Sequence, residues 1–185
     1  MNEKTSLYND LAKVLLTKEE ILPKVQTIAH QITEDYQGKD VVFICILKGA
    51  MVFFSDLVRR IDLPLTMDFM AVSSYGNSTK SSGVVRILKD LDRPIQGKHV
   101  IIVEDIVDSG VTLNYLKKEF EHRGAASLKI VTLLDKPARR RVELTADYSC
   151  FEIPDEFVVG YGLDYDEKYR NLPDIGVLDP KIYSE

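Results

Sequence analysis

With 185 residues, 45% of them apolar and 29% charged, the chain has the size and composition of one globular domain that can bury a core without disulfide or metal staples. Its 24 basic residues against 29 acidic ones leave a formal charge of −5, which argues against a dedicated nucleic-acid binder, because phosphate contacts need a basic face. No apolar run approaches transmembrane length, and the polar start Met1–Asp10 does not read as a signal peptide. Cys45 and Cys150 lack metal-ligand spacing and read as reduced, buried thiols of a cytoplasmic protein.

In chain order, Thr17 and Glu20 have the spacing of a capping box. Ile21, Val25, Ile28, Ala29, Ile32 and Tyr36 then recur at helical spacing as far as Gly38. Pro23 removes a backbone donor inside that pattern, so the helix is predicted either to bend or to start later. Val41–Leu47 is continuously apolar, as in a parallel strand covered on both faces, and Lys48-Gly49-Ala50 follows at once. A lysine and a glycine between strand and helix describe an anion site, and equally a solvated lysine before an ordinary turn. The next helix carries Met51, Phe54, Val58 and Ile61 as its expected apolar face. Leu65–Ser73 alternates like a strand with two unlike faces. The small polar stretch Ser73–Gly83 is either a passive link to a strand at Val84–Lys89 or a flexible lid that excludes water from a reaction.

The most informative stretch is Val100–Thr112, VIIVEDIVDSGVT. Val100 to Val103 form a short buried strand, expected to end at the adjacent carboxylates Glu104 and Asp105. Asp108-Ser109-Gly110 is a tight turn, and Thr112 opens a helix with Leu113, Leu116 and Phe120 on one face, closed by Arg123-Gly124. A glycine turn at a helix start directs N–H groups and partial positive charge to one spot, which suits a phosphate. The two acids cannot bind that phosphate; they suit hydroxyl groups or a hard cation. One ligand satisfies both halves if it carries a phosphate and a diol, as ribose 5-phosphate does. Each feature alone also fits an unremarkable strand-to-helix turn.

Leu128–Leu134 is another apolar strand, with Asp135-Lys136-Pro137 at its rim. Arg139–Arg141 reads as solvated surface, and His30, His99 and His122 are scattered without a role. From Asp155 onward aromatic and acidic residues are dense, and Ile175–Leu178 closes the chain as a strand. Apolar strands alternating with helices imply a βαβ sheet.

The stretch VIIVEDIVDSGVT resembles the phosphoribosyl-diphosphate (PRPP) signature of the type I phosphoribosyltransferases. Leu47-Lys48-Gly49-Ala50 resembles the LKGG-type pyrophosphate loop of the 6-oxopurine branch, with Ala50 replacing the second glycine. The resemblance implies an α/β fold: a twisted, mainly parallel sheet flanked by helices, with a small hood and a flexible loop. One domain, 1–185, would have its core at about 17–144, the hood from 1–16 and 145–185, and the lid at about 73–84. It also implies a non-proline cis peptide at Leu47–Lys48.

The site residues implied are Asp108 near N7 of the purine as the catalytic carboxylate, and Asp108, Ser109, Gly110, Val111 and Thr112 around the 5′-phosphate. Glu104 and Asp105 would take the ribose hydroxyls and metal. Lys48, Gly49 and Arg170 would take pyrophosphate, and Ser74 and Tyr75 would close as the lid. Ile106, Lys136, Phe157, Val158 and Asp164 would surround the purine, with Lys136 donating to O6, Phe157 stacking, and Asp164 serving as a further Mg²⁺ ligand. The implied reaction is Mg²⁺-dependent transfer of the phosphoribosyl group from PRPP to N9 of hypoxanthine or guanine, giving IMP or GMP and pyrophosphate. A cytoplasmic dimer or tetramer is expected, with no nucleic-acid or membrane partner. The alternatives are a PRPP-responsive nucleic-acid-binding regulator on the same fold, which the acidic balance disfavours, and a receiver-like phosphoacceptor, which would leave Phe157 to Arg170 unexplained.

Overall fold

The computed structural model describes residues 6–74 and 85–184. A short 3₁₀ turn leads into β1 (Leu11–Leu16) and then α1 (Lys18–Asp35). Thr17 caps α1 with both halves of a capping box, its hydroxyl accepting from Glu20 N while the Glu20 carboxylate accepts from Thr17 N at 2.8 Å. The helix does not start late, which removes that branch of the expectation; Pro23 lies within it. Its apolar stripe Ile21, Val25, Ile28, Ala29 and Ile32 is buried as the spacing predicts.

Next come β2 (Val41–Leu47), α2 (Met51–Val58), β3 (Thr66–Ser74) and β4 (Val85–Lys89), followed by β5 (His99–Val107), α3 (Val111–His122), β6 (Ser127–Asp135) and β7 (Tyr148–Glu152). These six strands form one sheet in the order β4-β3-β2-β5-β6-β7, parallel except for the antiparallel β3–β4 edge. From β2 the chain winds outward through β3 and β4. It then returns to lay β5 on the other side of β2 and winds outward again. The junction of β2 and β5 is therefore the point where winding reverses, and in open α/β sheets the crevice at the strands' C-terminal ends at that point is where ligands bind.

Both faces of the sheet are covered, which is why its central strands read as continuous apolar runs. Along β2, Val41, Phe43 and Cys45 face the layer formed by α1 and α2, while Val42, Ile44 and Ile46 face the layer that contains Leu113, Leu116 and Phe120 of α3. The face of α2 differs from the expected one. Phe53, Phe54 and Leu57 are buried, whereas Met51 is 52% exposed. β5 also runs past its expected end: Ile106 and Val107 pair with Leu134 and Asp135 of β6, so Glu104 and Asp105 lie within the strand.

The remaining strands, β8 (Val158–Val159) and β9 (Ile175–Leu178), form with β1 a separate antiparallel sheet in the order β1-β9-β8, and α4 (Pro180–Tyr183) follows. This small sheet unites the two ends of the chain, as expected of a hood. Its boundary falls later than residue 145, because β7 pairs in parallel with β6 and belongs to the large sheet.

Truncating Phe53 to alanine is expected to lower the unfolding free energy by about 3–5 kcal/mol. Met51→Ala, on the exposed side of α2, is expected to stay within about 0.5 kcal/mol of the parent. Urea unfolding of both variants checks this, and equal losses would return Met51 to the buried face.

Candidate active site

The phosphate-loop segment begins where β5 leaves the sheet. Gly110 is the N-cap of α3 at φ +78°, a left-handed conformation that favours glycine, and no side chain caps the helix. The first-turn amides of α3 are thus left to whatever ligand meets them. The Val111 amide makes only a long contact of 3.4 Å to Ser109 Oγ. A cavity of about 260 Å³ opens here, lined by Glu104, Asp105, Asp108, Ser109, Gly110 and Thr112 together with the end of β2. Six of the expected sugar-phosphate residues therefore share one cavity.

Burial raises the Glu104 carboxyl well above its ordinary range, and the neighbouring Asp105 charge raises it further. Burial raises Asp105 as well, opposed by hydrogen bonds, including one of 2.8 Å from Ile106 N, and by the charge of Arg170. Two adjacent carboxylates, Asp105 buried and Glu104 partly so, suit one hard divalent cation that keeps the rest of its shell for water and ligand oxygens. No group of three or more His, Cys, Asp or Glu among the described residues could hold an ion by protein ligands alone.

The turn after β2 comes against this pair without a side chain. The Leu47–Lys48 peptide is cis, as the resemblance implied. A Cβ placed on Gly49 would overlap Asp105 Oδ2, and one on Gly162, at φ +104°, would overlap the Gly49 carbonyl. The hood thus touches the main sheet backbone to backbone at the acid pair. Arg170 reinforces that contact: Nη1 donates to Gly162 O at 2.8 Å, and Nη2 lies 2.9 Å from Asp164 and 3.3 Å from Glu167. Glu167 also pairs with Lys48 at 2.8 Å. Lys48, Gly49 and Arg170 are therefore neighbours, gathered around Glu167, which the sequence reading missed.

A second cavity, of about 450 Å³, is lined by Ile106, Asp108, Lys136, Phe157, Val158 and Asp164, with Arg139, Asp155, Glu156 and Tyr183. All the expected base-binding residues are here. Asp164 is included, apart from the cavity of Glu104 and Asp105, with one oxygen on Arg170 and the other accepting from Glu167 N at 2.9 Å. Lys136 is buried, its Nζ donating to Glu156 O at 2.8 Å. The Phe157 ring is 42% exposed, held edge-on by Tyr165 at 5.8 Å and tilted against Tyr183 at 5.0 Å. Asp108 and Ile106 line both cavities. Among the described residues Asp108 Oδ1 is buried with no hydrogen-bond partner, and Arg139 Nε lies 3.4 Å from it.

In the basic cluster Arg139 and Arg141 are exposed, as the sequence reading had them, whereas Arg140 is largely withdrawn from solvent. Arg139 pairs with Asp108 and Asp155, and Arg140 pairs with Asp135 and donates to the Asp108 carbonyl at 2.7 Å. The cluster lies beside the site because β6 is the neighbour of β5, which sequence spacing does not reveal. Of the expected lid, Tyr75 and residues 75–84 lie outside the described residues, as does the side chain of Ser74.

A raised carboxylate pKa means that the folded state holds its proton more tightly than the unfolded chain. The stability Glu104 contributes as a neutral acid is complete below about pH 4.5, the ordinary glutamate value, and is lost as pH rises above it. Without divalent ions, Glu104→Gln is therefore expected to melt higher than the parent by a margin that widens from about pH 5 to about pH 8. Added divalent cation should narrow the gap by stabilising only the parent. Calorimetric melting across pH checks this, and a gap independent of pH would show that the carboxylate is not strained by burial.

Comparison with known proteins agrees with this architecture. The phosphoribosyl transferase domain family matches residues 12–166. The chain is 55% identical over 175 residues to a hypoxanthine-guanine phosphoribosyltransferase of Bacillus subtilis, covering 95% of this chain and 97% of that protein. It is 53% identical over 180 residues to the bifunctional protein TilS/HprT of Listeria monocytogenes, covering 97% of this chain but only 28% of that protein, so it spans just over a quarter of that relative's length. A crystal structure of a hypoxanthine phosphoribosyltransferase from Staphylococcus aureus superimposes with a TM-score of 0.95 at 52% identity, covering 99% of this chain and 100% of that one. Sequence, fold and site geometry thus converge: the chain belongs to the phosphoribosyl transferase domain family and has its type I fold.

Proposed function

We propose that the chain is a purine-salvage enzyme that transfers the 5-phosphoribosyl group of PRPP to N9 of hypoxanthine or guanine, giving IMP or GMP and pyrophosphate. The observation that carries this reading is the pair of cavities meeting at Asp108, one framed by acids and a helix start, the other by a buried lysine and an exposed aromatic ring. A sugar phosphate suits the first and a planar oxo-base the second, so the bond to be made between them falls beside Asp108.

In this mechanism the amides and hydroxyls of Ser109, Gly110, Val111 and Thr112 hold the 5′-phosphate at the helix start. Glu104 and Asp105 hold the ribose hydroxyls and, as their shared buried charge suits, one Mg²⁺; Asp164 is the candidate for a second. The ion supplies charge neutralisation on the diphosphate leaving group. Lys48, the Gly49 backbone and the Arg170 fork receive pyrophosphate, whose charge replaces that of Glu167 beside both cations. As the C1′–O bond lengthens, C1′ gains oxocarbenium-like positive charge, which the acids below the ring stabilise. On the base side, Phe157 stacks, the Val158 backbone meets the base edge, and Lys136, already a donor, turns a proton to O6. Asp108 Oδ1, which has no hydrogen-bond partner, accepts or stabilises the proton at N7 as N9 attacks.

A pyrophosphate-release assay tests the reading: turnover with hypoxanthine and guanine and little with adenine is expected. The absence of PRPP-dependent turnover with every purine would overturn it. Asp108→Asn is expected to lower kcat by about 10²–10⁴-fold with little change in KM for PRPP. Equal losses in both would make Asp108 a binding group instead. Lys136→Ala is expected to raise KM for hypoxanthine and guanine by at least about tenfold while leaving KM for PRPP nearly unchanged. Unaltered kinetics for both bases would remove Lys136 from base recognition.

A further inference from the structure

Three consecutive carbonyls of the phosphate loop are held by one segment that follows β6. Val107 O accepts from Lys136 N at 3.0 Å, Asp108 O from Arg140 Nη1 at 2.7 Å, and Ser109 O from Arg141 N at 3.0 Å. In a trans peptide the carbonyl and the next N–H point in opposite directions. Pulling these carbonyls toward residues 136–141 therefore turns the N–H groups of Asp108, Ser109 and Gly110 the other way. Two of the three bonds come from backbone and survive any side-chain change. The central one depends on a single side chain, Arg140, and it governs the Asp108–Ser109 peptide.

Arg140 is built for that task. Its guanidinium spans two anchors, Nη2 on the Asp135 carboxylate at the end of β6 and Nη1 on the Asp108 carbonyl, and only 15% of the side chain is exposed. Its stem also packs under the turn, since a Cβ on Gly110 would lie 3.1 Å from Arg140 Cδ. A planar fork can hold both anchors at once, whereas a lysine ammonium keeps the charge but not the two-point geometry.

We propose that Arg140 is a positioning residue for phosphoribosyl binding: it clamps the Asp108–Ser109 peptide so that the Ser109 amide faces the bound 5′-phosphate. The proposal rests on the reading of that loop as the 5′-phosphate site. Arg140 lines neither of the two cavities, so its loss acts on sugar-phosphate affinity through the loop rather than on base recognition.

The test is steady-state kinetics of Arg140→Lys and Asp135→Asn beside the parent enzyme, with GMP binding measured by calorimetry. Losing a charge-assisted hydrogen bond of this kind is expected to raise KM for PRPP and the Kd for GMP by about 10- to 100-fold. KM for hypoxanthine should change less than about threefold, and kcat should fall less than KM for PRPP rises. If Arg140→Lys does not fold, Asp135→Asn, which removes the charge of the other anchor and keeps the arginine, carries the same expectation. An unchanged KM for PRPP in a folded variant overturns the proposal, as does a rise in KM for the base equal to that for PRPP, which would mark general loss of structure. Inactivity of the parent with PRPP would instead overturn the functional reading itself, so the two failures are told apart.

Discussion

The structure depends on a close approach that no side chain could occupy. Gly49, at the end of β2, lies against the carboxylate of Asp105 on β5, and Gly162 of the hood lies against the Gly49 carbonyl. Three segments distant in sequence thereby meet, the hood backbone on the Gly49 backbone and Gly49 on the Asp105 carboxylate, where the winding of the sheet reverses. A substituent at either glycine would push the hood off the sheet or the turn off the acid pair, and with them the crevice between.

Around that contact the electrostatics are arranged in alternation. Acids buried on β5 bear the cost of desolvation, which burial records as raised carboxyl pKa values. The cations near them each have anionic company: Lys48 and Arg170 share Glu167, Arg170 also holds Asp164, Arg139 lies between Asp108 and Asp155, and Arg140 is bound to Asp135. Under the proposed function, a net-acidic protein hosts a highly charged anionic substrate because pyrophosphate takes the place of Glu167 at Lys48 and Arg170, cations already in place.

The second cavity follows a different logic. Phe157 is large, apolar and yet exposed, an arrangement that favours a planar ligand more than it favours the fold. Tyr165 and Tyr183 brace the ring from two sides. Lys136, just past the end of β6, lines the same cavity, so the main sheet and the hood both contribute to it.

Much of this was legible in the sequence. Strands covered on both faces must be apolar throughout, which marked β2, β5, β6 and β9, and the strand-acid-glycine-helix order of Val100–Thr112 placed most of its polar residues on one cavity. Where local contrast was weak, the reading slipped: α2 is short and apolar nearly all round, so spacing alone put Met51 inside, and β5 was ended at its acids because the pairing of Ile106 and Val107 with β6 is not a local property. The roles of Arg139, Arg140, Gly162, Glu167 and Tyr183 were decided only by tertiary structure. A hydrogen bond or ion pair requires two groups within a few ångströms, and for these residues the partner is supplied by strand order and by the hood folding back. Periodicity and turn chemistry are encoded within a few neighbouring residues, whereas juxtaposition across a sheet is settled only when the strands pair.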